Sequence, residues 1–386
     1  MNKGYDDYSF STTTERDLLD EVYLMEINST WEGDIPSNEL NLEAIEAPIY
    51  AADAARRYGL DPELMNDTAG STKLLLDYEG RKMMVRDTAR TTLGETAKLF
   101  GSALGRMETP MMAETLNHGL AVARGKSLLL MRYGKISAVH SDADGGYQIM
   151  PISSLLEVAI RKVSDAFGTM DFRTGFNNHG LTTALWNLPD RQSDIVAAYR
   201  AALAGVSTNF SLDMMPAVRF MSSDTANSCA SLVPVFILDG NEIQLVDGVA
   251  VKHSKRYSRD GKTGTEAFSS AAEELYAIFM ASAEAVSRLA SIRIYNGCNC
   301  VVSLCRRYNI PKKYGDASRS MVERFTLGDR PISAHDLYLC MYESVSEAKR
   351  SGAPWTQVLN LQESVARIAK ADWSSHDVRG VVPWSN

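Results

Sequence analysis

The chain has 386 residues and a formal net charge of −8 at pH 7, with 45% hydrophobic and 23% charged residues. That length supports one large domain or two ordinary ones with a sizeable core. No apolar run approaches the roughly 18 residues of a membrane helix, and the opening MNKGYDDYSFSTTTERDLLDE has neither part of a secretion signal, so a cytoplasmic protein without a membrane partner is expected.

The charge is unevenly spread. Residues 1–50 hold twelve acids against Lys3 and Arg16, a local −10, which leaves +2 for residues 51–386. An acidic arm of this kind is a solvated tail, a partner-binding segment or an intramolecular competitor for a basic groove. It is expected to carry one helix, Arg16 to Met25, then the turn-rich STWEGDIPSNEL, then a helix from Pro48 to Tyr58 closed by Gly59.

A hairpin follows, with two apolar runs either side of Glu79-Gly80 in STKLLLDYEGRKMMVRD. Thr91 or Thr92 caps an expected helix, Leu93 to Leu104, and Thr109-Pro110 opens another that ends near Gly125. SLLLMRYGKISAVHS reads as a strand pair turning at Tyr133-Gly134, and SSLLEVAIRKVSDAFG as an amphipathic helix with Leu155, Leu156, Val158, Ala159, Val163 and Phe167 on its core face. TMDFRTGFNNHGLTTALWNLP alternates as strand, and DIVAAYRAAL is helical. Val233 to Leu238, Glu242 to Val246 and Val249 to Lys252, joined through Asp239-Gly240 and Asp247-Gly248, read as a β-meander. From Thr265 onward only helices are expected: Thr265 to Leu289, Cys298 to Tyr308, one capped by Ser333 with Asp336 three residues on, and about Pro354 to Ala371. The expected fold class is therefore α+β, a mostly antiparallel sheet with flanking helices. Its divisions are an acidic N-terminal arm with short helices (1–65), an α+β core (66–263), and an all-helical C-terminal lobe (264–386) packed on that core.

The sequence has no GxGxxG after a strand, no GxxxxGK[ST], no HExxH and no GxSxG, which removes the simplest nucleotide, zinc-protease and hydrolase readings. Five cysteines, with Cys298, Cys300 and Cys305 crowded together, make no secreted disulfide framework and lack the paired knuckles of a zinc site. They read as reduced core thiols. His140, Asp142 and Asp144 in VHSDADGG resemble part of a calcium loop without its later acidic ligand, so a plain turn is the leading reading. No metal and no cofactor is expected. Two basic stretches remain: Lys252 to Lys262, with Lys252, Lys255, Arg256, Arg259 and Lys262 against Asp260, and residues 292–330, with a local +5. Such clusters suit phosphate contacts, with Tyr257, Tyr308 and Tyr314 as stacking faces; a solvated surface is the alternative.

The succession FNNHG, PAVRFMSSDTANSCASLVP, VKHSKR and a long helix, over about residues 125–290, resembles the uncharacterised phage and plasmid-like family classed as a domain of unknown function. The polar signature of that family falls on Arg219, Asn227 and His253, although Cys229 follows Asn227 where a cysteine would precede it. The resemblance implies a mobile-element origin without a settled activity, and the β-rich core is also similar in outline to single-strand annealing proteins of the RecT and Redβ type. Three readings stay open. One is a homo-oligomeric protein that binds single-stranded nucleic acid through Arg219, Lys252, His253, Lys255, Arg256 and Arg259, as a single-strand annealing or recombination factor. Another is an enzyme whose Asn177, His179, Arg219, Asn227 and His253 converge on an anionic substrate. A phage structural or host-interaction protein is the last.

Overall fold

The computed structural model describes residues 2–45, 51–101, 103–141, 146–256, 261–326 and 330–384. The chain begins β1 (Ser9–Thr12), α1 (Glu15–Ile27), β2 (Ser29–Pro36), β3 (Asn41–Ala44), α2 (Ala51–Tyr58), α3 (Pro62–Gly70), β4 (Leu74–Tyr78) and β5 (Arg81–Val85). It continues α4 (Ala89–Thr96), α5 (Thr109–Val122), β6 (Lys126–Arg132), β7 (Lys135–Ser141), α6 (Ile152–Phe167), β8 (Asp171–Asn178) and β9 (Leu181–Asn187). Then come α7 (Gln192–Ala202), β10 (Met214–Ser222), β11 (Ala230–Leu238), β12 (Asn241–Gln244) and β13 (Val249–Val251). The last part holds α8 (Gly264–Ala271), α9 (Leu275–Arg288), β14 (Arg293–Ile294), α10 (Gly297–Arg307), α11 (Lys312–Phe325) and β15 (Ile332–Ser333). It closes with α12 (Ala334–Met341), α13 (Glu343–Arg350), α14 (Trp355–Arg367) and α15 (Trp373–His376).

The fold is α+β, built on two large sheets. One has the order β2-β6-β7-β5-β4-β3 and is antiparallel except for the β5–β7 pair. The other runs β1-β8-β9-β10-β11-β12, with β13 also on β11, and is antiparallel throughout. The first sheet packs Leu74, Leu76, Val85, Leu129 and Val139 against Leu93 of α4 and Leu116 and Leu120 of α5. The second shares a single apolar core with α1, α6 and the C-terminal helices, from Leu18 and Leu155 through Trp186 and Phe236 to Leu337 and Val365. The C-terminal helices are therefore continuous with the sheet's own core.

Several expectations are corrected. STWEGDIPSNEL is not a turn region: its first eight residues form strand β2, because pairing with β6 outweighs the local turn signal. The Gly33-Asp34 signal survives only as a bulge between Glu32 and Ile35, where Asp34 takes a φ of +60°. Pro36 is accommodated because β2 lies at a sheet edge. The helix expected from Leu93 to Leu104 spans Ala89–Thr96 instead. The backbone turns away at Lys98, whose φ is +60°. Gly119 of α5 presses on the end of that helix, so closely that a Cβ there would stand 2.6 Å from the Ala97 carbonyl oxygen.

The meander is also incomplete. β12 pairs with Val235–Leu238 and β13 with Ala230–Leu232, so both lie along one edge of β11, which changes neighbour around Pro234. Proline has no N–H to give to a ladder. The expected helix from Thr265 to Leu289 is interrupted by a 3-10 turn at Ala272–Glu274, and β14 and β15 form a small ladder within the otherwise helical C-terminal part. Ser333 does cap α12, its hydroxyl accepting from the Asp336 amide at 3.0 Å.

Residues 2–45 do not stand apart as an arm. Leu18, Val22 and Met25, spaced four and three along α1, are buried in the core, and β1, β2 and β3 each complete a sheet edge. Several of its acidic side chains are paired within the fold. Asp6 accepts from Arg86 at 3.2 Å and Lys135 at 3.0 Å, Glu21 pairs with Lys3 at 2.5 Å, and Glu26 accepts from the Ser153 amide and hydroxyl at 2.8 and 2.6 Å. Asp6 thereby supplies a counter-charge to the buried cations Arg86 and Lys135, while Asp7, Asp17, Asp20, Asp34 and Glu39 stay exposed. Among the described residues no helix is long and apolar enough to cross a membrane.

Candidate nucleic-acid interface

At the seam between the two sheets lies a cleft of about 650 Å³. Glu95 at the end of α4, followed by Lys98 and Phe100, forms part of its lining; His140 of β7, Tyr147, Cys229 at the entry to β11, and Lys252 and His253 just after β13 supply the rest. A second cleft of about 530 Å³ shares Glu95 and Phe100 with the first and continues along Arg90 and Arg106. Lys98, Lys252 and Arg106 are exposed along this combined path, and Lys255 and Arg256 are exposed in the segment that follows Lys252. The Lys255 amide is tied to the Gly146 carbonyl at 2.9 Å, which fixes the segment after β13 beside the cleft.

Four rings meet at the inner end of the cleft. Tyr147 stacks on His140 with centroids 3.7 Å apart and planes 11° apart, on His253 at 5.2 Å and 16°, and on Trp31 at 5.6 Å and 25°. The Tyr147 hydroxyl donates to His253 Nδ1 at 2.9 Å, and His140 Nε2 donates to the Asp224 carbonyl at 2.8 Å. This assignment fits a phenol whose ionisation burial suppresses. The Asp224 carboxylate in turn pairs with buried Arg132, whose other terminal nitrogen donates to the His179 carbonyl at 2.9 Å. The turn after β10 is thereby locked to β6 of the other sheet.

Burial holds both histidines of the cluster in the neutral form. It lowers His140 to about 4, only partly offset by the Asp224 carbonyl, and lowers His253 also. His179 is depressed further, by burial and by the Arg86 and Arg132 charges. These groups bind a proton more readily in the unfolded chain. The stability they protect is present above the ordinary histidine value of 6.5 and is lost as pH falls from there toward about 4. For His140 alone that is about 3 kcal/mol over the window. The urea midpoint should therefore be lower at pH 4.5 than at pH 7.5; equal midpoints would mean that these rings titrate normally in the fold.

The residues singled out from the sequence are not brought together. His253 and Lys252 line the cleft, and Lys255 and Arg256 lie beside it. Arg259, Tyr257, Asp142 and Asp144 lie outside the described residues. Asn227 is exposed next to the cleft, with its amide nitrogen engaged by the Gly180 carbonyl at 3.2 Å and Thr225 Oγ1 at 2.9 Å. His179 is 2% exposed against the Tyr5 carbonyl at 3.1 Å, and Asn177 is buried between Thr182 and Met25.

Arg219 is on another face altogether. It is 2% exposed and donates to Glu242 at 2.6 Å and Gln362 at 2.7 Å, tying β10 to β12 and α14. Burial alone would raise the Glu242 carboxyl, but Arg219 and Lys349 outweigh it and hold it at about 2. An arginine whose donors are spent on a buried carboxylate and an amide cannot line a groove for phosphate. Its role is to close the far side of the sheet, where an unpaired polar residue of β10 would be costly. The enzyme reading required these side chains to share a pocket, and of the five only His253 lines the cleft.

Trp31, Lys98, Phe100 and Tyr147 have no counterpart in the sequence reading. They come from an edge strand, the turn after α4 and the segment before α6, and no local pattern links positions so far apart. All five cysteines are free thiols, with Cys300, Cys305 and Cys340 buried. Among the described residues no group of three histidine, cysteine or acidic side chains could hold a metal ion. The chain matches no protein-family description, no curated protein and no solved structure.

Proposed function

We propose that this chain binds single-stranded nucleic acid along the path formed by the two adjoining clefts and the Lys252–Arg256 segment. The observation that carries this reading is that Lys98 and Lys252 line the first cleft and Arg90 and Arg106 the second, that the two clefts share Glu95 and a 75% exposed Phe100, and that Lys255 and Arg256 follow in the segment tied to Gly146 at the wall of the first. Cations along a groove with a bare aromatic face are the combination that tracks a phosphate backbone and stacks on bases. A role in pairing complementary strands is the narrower form of the same proposal.

The test is anisotropy of a labelled oligothymidylate across a salt series. Combining Lys252→Ala, Lys255→Ala and Arg256→Ala should weaken binding and lower the slope of log K against log salt by about 2, since each phosphate contact on a single strand contributes about 0.7. A protein whose binding is absent, or whose slope is untouched by the triple substitution, does not use this groove. If binding holds, mixing complementary strands with and without the protein measures annealing.

A further inference from the structure

Phosphate contacts account for the cations of the groove but not for its rings. Phe100 is the largest exposed apolar side chain near either cleft, and it lines both. The first cleft is also lined by His140, Tyr147 and His253, which with Trp31 form a group of rings whose neighbouring planes lie within 27° of one another. His253 is its partly exposed ring on the cleft lining, while His140 and Tyr147 are 5% and 8% exposed.

We infer that the first cleft receives an unstacked nucleobase, which continues the ring stack at His253 and is covered by Phe100. This inference rests on the proposed nucleic-acid binding and assigns its chemistry: recognition of the flat face of a base, not of the phosphate alone. Three physical points support it. The volume of about 650 Å³ lies within the range of a small-molecule pocket and holds a nucleotide. His253 is held by the Tyr147 hydroxyl at 2.9 Å with its plane fixed 16° from the phenol, so the stacking surface is formed before the ligand arrives. Burial keeps that imidazole neutral, and a neutral ring presents a face without an ammonium-like hydration shell. Lys252 and Lys98, on the lining of the same cleft, are placed for the flanking phosphates.

Stacking on an aromatic side chain is sequence-tolerant, so all four bases should enter. The deciding measurement compares two labelled strands of equal length, about 12 nucleotides: one oligothymidylate, the other with its central bases replaced by abasic sites. At the same salt the wild-type protein should bind the abasic strand about tenfold or more weakly, the scale of one base stacked on a ring. Phe100→Ala should weaken the intact strand by a similar factor while leaving abasic binding and the salt slope unchanged. Because Phe100 is exposed, this variant folds, and the wild-type comparison needs no variant. Equal affinity for the two strands overturns the base pocket and leaves phosphate binding standing. The same follows if Phe100→Ala weakens both strands alike. Failure of both strands to bind overturns the functional proposal and the pocket together.

Discussion

Deleting residues 2–45 is expected to yield an unfolded, aggregating chain, not a version with an uncovered DNA-binding groove. The segment supplies β1, β2 and β3, which are the outer strand of one sheet and both outer strands of the other. It also buries Leu18, Val22, Met25, Ile35, Leu40 and Leu42, each no more than 4% exposed. At about 1.5 to 3 kcal/mol per buried aliphatic side chain, those six contribute about 10 kcal/mol or more, comparable with the whole stability of a typical domain. Removal would leave β8, β6 and β4 with unpaired edges, a template for aggregation. It would also strip the Asp6 carboxylate from Arg86 and Lys135, both fully buried. Circular dichroism and a thermal melt of the truncated chain decide the matter: a cooperative transition near that of the full chain would show the segment to be dispensable.

Arg132→Met should cost about 3 to 5 kcal/mol, the expected penalty for leaving one member of a buried ion pair alone. The lost contacts are the ion pair with Asp224, the 2.9 Å bond to the His179 carbonyl and the 3.0 Å bond to Ser29 Oγ. Asp224 is only 7% exposed, so water cannot readily replace the guanidinium. Adding Asp224→Asn to Arg132→Met should recover a large part of the loss, because the second change removes the stranded charge. Chemical denaturation of the two single variants and the double closes the cycle; strict additivity would mean that the ion pair is not what Arg132 contributes. As the pair joins the turn after β10 to β6, the single variant should also loosen the cleft, seen as weaker binding of the oligothymidylate with the salt slope retained.

Much of the local structure was legible without the fold. The Glu79-Gly80, Tyr133-Gly134 and Asp239-Gly240 turns each take the positive φ angles of a two-residue hairpin loop, which the glycine in each makes accessible at its second position, and each joins the expected strands. The helical spacing of Leu155, Leu156, Val158, Ala159 and Val163 gave a core face that is buried as expected. These signals are carried by neighbouring residues and the backbone alone. β2 was missed because its glycine, aspartate and proline describe a turn until β6 is available as a partner. α4 was misplaced because its end is set by contact with Gly119, some 20 residues further on.

The candidate site divides along the same line. Of the residues that charge density singled out, Lys252 and His253 line the cleft, and Lys255 and Arg256 follow in the segment beside it. Arg219 and His179 were misassigned because a polar residue in a strand looks alike whether it faces a ligand or a buried counter-charge. Only the partners Glu242, Gln362 and the Tyr5 carbonyl distinguish the two.

By itself, then, the sequence determined the α+β class, the hairpins, the amphipathic helices and the basic segment after β13, since each depends on residues close together in the chain. Tertiary structure alone decided that Asp6 in the acidic N-terminus is a counter-charge to buried cations, that Arg219 is buried, and that Phe100, His140, Tyr147 and His253 come together at one cleft with Trp31 beside their rings. Those outcomes depend on which strands become neighbours across the seam of two sheets, and the free energy of that choice resides in long-range pairing and burial, which no local pattern encodes.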